Sequence, residues 1–200
     1  MCWNASVSLN TYIFGLFAIL FSYFNGYTDI LDSMFYHSII IIQLIEYFIW
    51  SKTFSNRLLS QIAFLVILSQ PVFNIILIKS RPEWIPYILV SYVMFVIILY
   101  TYIIPLNTIE FSSVPGENGH LSWKWLNINV FIWLIWYAFL SSRWIIDKKY
   151  SLLIIITIFL IASIILYKDT HTWGSMWCWI CNIVSFIFIF GVFRKEICTI

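Results

Sequence analysis

Apolar residues along this chain come in long unbroken runs, not in the alternation of strands or the one-sided stripes of surface helices. Seven runs stand out, over 6–24, 34–50, 58–78, 84–104, 123–140, 150–167 and 173–193. At 1.5 Å of rise per residue, about 20 apolar residues cross the hydrocarbon of a bilayer. A helix there satisfies its own backbone, as hydrocarbon requires, and the runs lack the in-out alternation of barrel strands. The pattern predicts an all-α, polytopic integral membrane protein: a bundle of about seven transmembrane helices forming a single domain over 1–200.

Short polar links carry most of the charge, and the longest, 106–122, holds the turn signal Pro115-Gly116-Glu117-Asn118-Gly119. It is the one link long enough to fold over a mouth of the bundle. Of the 200 residues, 62% are hydrophobic and 10% charged, against about half and a quarter in a soluble domain. A water-soluble chain of this size has too little interior to hide that apolar surface, so the lipid bilayer is the expected partner. A net charge of +2 without a Lys/Arg run argues against nucleic acid and against a polybasic arm. No basic region precedes the first run, which therefore reads as a retained helix and not a cleaved signal.

Alternating the links from the N-terminus places Lys52, Arg57, Lys124 and Lys168 on one side. Lys79, Arg81, Arg143, Lys148, Lys149, Arg194 and Lys195 fall on the other. The excess predicts an N-terminus outside or lumenal and a cytoplasmic C-terminus.

Polar residues inside spans are costly and ask for a reason. Glu46 reads as the one acidic residue well inside a run; Gln43 and Trp50 share its helix face at i−3 and i+4. This face suits an ion or small-molecule pocket, or a structural Glu that bonds to Gln43 and a neighbouring helix. Gln70 and Asn74 bracket Pro71, which frees a carbonyl for bonding between helices. Ser175, Cys178, Asn182 and Ser185 make a polar stripe on the last run, beside Trp173, Trp177 and Cys181. His120, Lys124, Asn127 and Asn129 precede or open the fifth run. The candidate ligand-binding set is thus Gln43, Glu46, Gln70, Asn74, His120, Asn127, Trp177 and Asn182.

Cys178 and Cys181 form a C-x-x-C, and with Cys2 they offer a thiol redox site; cysteine is also a common small hydrophobe in apolar helices. Cys2, Glu46, Cys178 and Cys181 are the candidate catalytic groups of an intramembrane enzyme acting on thiol, quinone or lipid. His37, His120 and His171 have no ligand spacing, so neither a metal nor a cofactor is expected. The last run lacks the mid-helix lysine of retinal proteins, and it lacks the Asn-Pro-x-x-Tyr of G-protein-coupled receptors.

Five segments follow one another along the chain: Met1-Cys2-Trp3-Asn4-Ala5, Gln43-x-x-Glu46-x-x-x-Trp50, Gln70-Pro71, Asn118-Gly119-His120-Leu121-x-Trp123 and Trp173-Gly174-Ser175-Met176-Trp177-Cys178-Trp179. In these the chain resembles uncharacterised membrane families of large DNA viruses and microbes that open Met-Cys-(Trp or Phe)-Ser-Ala. Asn4 stands where Ser is usual. The resemblance implies a compact seven-helix protein, possible viral origin included, and brings no activity with it. Removal of Met1 would leave Cys2 with a free amine, the arrangement of an N-terminal nucleophile. Three readings stand open: a small-molecule or ion-binding membrane protein, an intramembrane enzyme, and a structural membrane protein.

Overall fold

The computed structural model describes residues 4–198, with side chains described except at 176–180 and from 195 onward. Seven α-helices follow one another: α1 Ala5–Phe24, α2 Ile30–Ser51, α3 Asn56–Ile76, α4 Ile85–Ile98, α5 Val130–Ile146, α6 Tyr150–Tyr167 and α7 Trp177–Cys198. Ala5–Phe24, Ile30–Ser51, Asn56–Ile76, Pro82–Ile103 and Tyr150–Tyr167 are long and apolar enough to cross a membrane. Val130–Ile146 and Cys181–Arg194 are shorter apolar stretches. Tyr92 is the one buried residue of α4, and Ile156 and Leu160 are those of α6. The rest of their surface is apolar and outward, as in Val90, Ile154, Ile158 and Ile165. A helix that is apolar all round needs lipid on the side its neighbours do not cover.

Neighbouring helices pack in the order α7–α1–α2–α3–α5–α6, with α6 returning to α7 and α4 lying outside α3. Gly15 sets the close approach of α1 to α2: a Cβ there would stand 3.1 Å from Ile40 Cγ2. Asn4 caps α1 by accepting from the Val7 N–H at 2.9 Å. Asn and Ser are comparable N-caps, so the Asn4 departure preserves this function. Pro71 lies inside α3 and donates no hydrogen bond to Ile67 O; Trp136 of α5 donates its indole N–H there instead, at 3.2 Å. Tyr92 of α4 donates to Leu68 O at 2.6 Å. The stretch before Pro71 thus becomes a seam joining α3 to two other helices.

Three differences from the expected spans have local causes. The fifth helix starts at Val130, not 123, because Leu121–Trp123 is a strand instead. Strand β2 (Leu121–Trp123) pairs antiparallel with β1 (Ser113–Pro115), Ser113 opposite Trp123, and Asn129 then caps α5 by accepting from the Phe131 N–H. The same helix runs on to Ile146, which takes Arg143 out of a loop and into the bundle. At the start of α2, Asp29 caps through the Asp32 N–H, so the helix opens at Ile30 and carries a second acidic residue, Asp32.

The β1–β2 hairpin is tied down on one end of the bundle. Asn56, the first residue of α3, donates to Ser113 O at 2.7 Å and accepts from the Ser113 N–H at 2.9 Å. Ser175 donates to Leu121 O at 2.6 Å, and the Asn118 amide donates to Thr172 Oγ1 at 2.7 Å. In the turn, Gly116 N–H donates to His120 O, and Gly119 takes a φ of 78° that suits glycine.

Candidate functional site

Under this hairpin lies Glu46. The carboxyl-terminal half of α2 carries Gln43 and Glu46 inward, both with no exposed surface. The hairpin delivers the third group: Trp123, from β2, donates its indole N–H to Glu46 Oε1 at 3.4 Å. A residue expected at the start of a helix therefore becomes a lid, because pairing with β1 turns its side chain down into the bundle.

Trp123 also forms one wall of a narrow cleft of about 40 Å³ between α2, α3, α5 and α6. Ile42, Gln70, Trp133, Trp136 and Leu160 are among its other walls, and Leu134, half-exposed on the outer face of α5, stands at its edge. Tryptophans pack edge-on around it: Trp123 to Trp125 at 5.5 Å, Trp133 to Trp136 at 5.7 Å and Trp133 to Trp173 at 5.9 Å between ring centres. Gly174 lines the same cleft and leaves room for Leu126, which a Cβ would strike. Trp133 donates to Leu126 O at 3.1 Å, while the buried Trp125 N–H makes no hydrogen bond among the described residues. The sequence signal for this cluster was present, since Trp123, Trp125, Trp133 and Trp136 stand close together. It was obscured because interfacial belts also use tryptophan.

The remaining candidates divide. Gln70 joins the cleft and donates to Ser38 O at 3.0 Å. Asn74, fully buried, donates to Leu140 O across the α3–α5 seam. His120 is buried in the hairpin with its ring 6.0 Å from that of Tyr167, and burial holds its imidazole below the ordinary value. Asn127 is exposed in the link to α5, away from the cleft. Asn182 is half-buried on α7. Cys181 is buried with its thiol 4.0 Å from Ile39 O. Cys2 lies outside the described residues, as do the side chains of Trp177 and Cys178, so the dithiol reading has one described sulfur. Among the described residues, no three His, Cys, Asp or Glu side chains gather to hold a metal.

A second polar cluster, at the opposite end, went unrecognised from sequence. Arg143 of α5 is 2% exposed and donates to Asp32 of α2, and its Nε lies 3.7 Å from Asp147 Oδ2. Lys79 pairs with Asp29 at 3.0 Å, and the Ser80 N–H donates to Asp147 Oδ1 at 2.9 Å. Burial pushes the Asp147 carboxyl up, but the N–H groups of Ser80 and Lys79, with Arg143, outweigh it and hold the group below its usual range. The hydrogen bond from the Asp32 N–H, with Lys79 beside it, does the same for Asp29.

Comparison with known proteins adds no relative: no family model, no curated protein and no solved structure matches this chain.

Proposed function

We propose that this multi-pass membrane protein binds a small, narrow, mostly apolar molecule that enters the tryptophan-lined cleft from the lipid. In this reading Gln70 and the Trp123–Glu46 pair engage the ligand's polar group. The observation that carries it is the double role of Trp123, which is a wall of the cleft and the hydrogen-bond donor to Glu46. A ligand that moves this indole changes the partner of a buried carboxyl group, so occupancy of an apolar site is coupled to a polar one. Binding sites of this kind are mostly apolar, with a few placed polar groups. Leu134 at the outer edge supplies an entry on the lipid side. The Lys/Arg excess opposite the hairpin supports an outside or lumenal hairpin and N-terminus and a cytoplasmic C-terminus.

The test is quenching of tryptophan fluorescence by a long-chain bromoalkanol in detergent-solubilised protein. Saturable quenching, weakened in Trp123→Phe and Gln70→Leu, is expected. Quenching that rises linearly with the alkanol and is the same in all three proteins reports partitioning alone and removes the proposal. Orientation is read separately, from reagent access to a cysteine placed at Glu117.

A structural reading is favoured by a different observation. Gln70, Asn74 and Trp136 each donate to a carbonyl on another helix, so much of the polar set also locks the bundle.

A further inference from the structure

The charged end holds a cavity of about 280 Å³ enclosed by the α1–α2 link, the start of α6 and the face of α7. Its walls are of two kinds. Thr28, Asp32, Tyr36, Arg143 and Lys149 form a polar side, and Leu152, Val184, Ile187 and Phe188 form an apolar side. Tyr27 and Lys149, both exposed, stand at the mouth, and the Tyr27 ring sits where a Cβ on Gly191 would be.

The polar side has donors in excess. Arg143 is 2% exposed and makes one hydrogen bond among the described residues, to Asp32; its Nε, near Asp147, makes none. A guanidinium carries five N–H donors, and burial makes unused ones costly. Tyr36, 8% exposed, makes no hydrogen bond with its hydroxyl among the described residues. Lys149 forms no ion pair among the described residues. The one carboxylate in the wall, Asp32, is engaged by Arg143 and lies near Lys79. Asp147, just behind the wall, shares the charge of Arg143 with Asp32, so Lys149 is the wall's cation that has no ion pair among the described residues.

We infer that this cavity is a phospholipid site, with a phosphodiester held by Arg143, Lys149 and Tyr36 and an acyl chain laid along Leu152 and the Val184–Phe188 face of α7. A phosphodiester supplies acceptor oxygens and one negative charge, which matches the unused donors of Arg143 and Tyr36 and the unpaired charge of Lys149. The cavity lies level with helix ends, at the cap of α6 and the first turn of α2, where a spanning bundle meets headgroups. The apolar side distinguishes a lipid from a free anion, which would use the polar wall alone. This site is at the opposite end from the tryptophan cleft and does not depend on it.

The experiment is native mass spectrometry of the full chain in detergent with dioleoyl phosphatidylglycerol, dioleoylglycerol and inorganic phosphate as separate probes. The wild type should retain one phosphatidylglycerol and bind dioleoylglycerol about tenfold or more weakly, one decade being a readable difference in affinity. Leu152→Trp fills the apolar side and should cost a similar factor, and Lys149→Gln should cost a smaller one. Lys149→Gln should keep the bromoalkanol quenching of the wild type, which separates loss of this site from loss of the cleft; Leu152→Trp adds an emitter and is read by mass spectrometry alone. Lys149 is exposed, so its variant tests the site even if Leu152→Trp does not fold. Equal retention of phosphatidylglycerol and dioleoylglycerol, or unchanged retention in Lys149→Gln, overturns the proposal. Displacement of the lipid by millimolar phosphate does so too, and assigns the wall to a free anion.

Discussion

The two ends of the bundle solve the same problem, a buried carboxyl group, in different ways. At the hairpin end a strand-borne indole reaches Glu46 from above. At the other end Asp32 and Asp147 share the guanidinium of Arg143, and two backbone N–H groups complete the set. The difference follows from depth and coverage. The Asp32–Arg143–Asp147 set lies at helix ends, where charge is tolerated if it is paired. Glu46 lies more than a turn inside its helix and depends on a lid that excludes water. One end is held by charge, the other by a folded-over loop.

The largest effect should come from breaking the charge set. Arg143→Met takes the shared guanidinium from Asp32 and Asp147, and loss of one partner of a buried ion pair costs about 3–5 kcal/mol. A large fall in thermal midpoint is expected, with partial recovery in the Arg143→Met/Asp32→Asn double variant. Recovery would be absent if the arginine acted by packing alone.

At the hairpin end the expected loss is smaller. Glu46→Ala removes the acceptor of the Trp123 N–H, and a buried donor left unpaired costs about 1–3 kcal/mol. Glu46→Gln keeps an acceptor and should stay close to wild type. Equal losses in the two variants would mean that charge, not hydrogen bonding, matters there, and the contrast between the ends would collapse.

Asn56→Ala removes two of the hydrogen bonds that fasten the hairpin to α3, at about 1 kcal/mol each, and leaves the Ser60–Ser113 hydroxyl pair. Proteolysis at 116–119 should accelerate while the thermal midpoint moves little. Tryptophan emission should shift as Trp123 leaves Glu46; unchanged emission would show that the hairpin is held elsewhere.

The mildest perturbation is pH. Asp147 and Asp29 are held below their ordinary carboxyl values. Such groups contribute stability above the unfolded value of about 3.9, and it is lost as pH falls through the folded value. Thermal stability should therefore decline below about pH 4, and Asp147→Asn should flatten that decline. Substitutions at the hairpin end, such as Asn56→Ala, should leave its slope unchanged.

Much of the scaffold was legible in the runs themselves. Each of the seven expected runs overlaps one α-helix, because length and hydropathy are local properties. Ser113–Pro115 and Leu121–Trp123 were not legible as strands: three residues each are too few for a pattern, and the second was absorbed into an apolar run. Arg143 reads as a loop charge because its apolar run ends at 140, whereas the helix continues to Ile146.

Glu46 and Gln43 were visible as misfits in an apolar helix, and Gln70 as a neighbour of a proline. That Trp123 would be the group to reach Glu46, 77 positions away in the chain, was not visible in any window. Composition and run length are enough to specify apolar helices long enough for a bilayer, and to single out the few polar side chains that need partners. Tertiary structure alone decided which partners they found: an indole from a hairpin for Glu46, and two aspartates for Arg143, one of them 111 positions distant. The physical reason is that burial in hydrocarbon is set by local composition, whereas a hydrogen bond or ion pair depends on two distant segments meeting at a defined distance and angle.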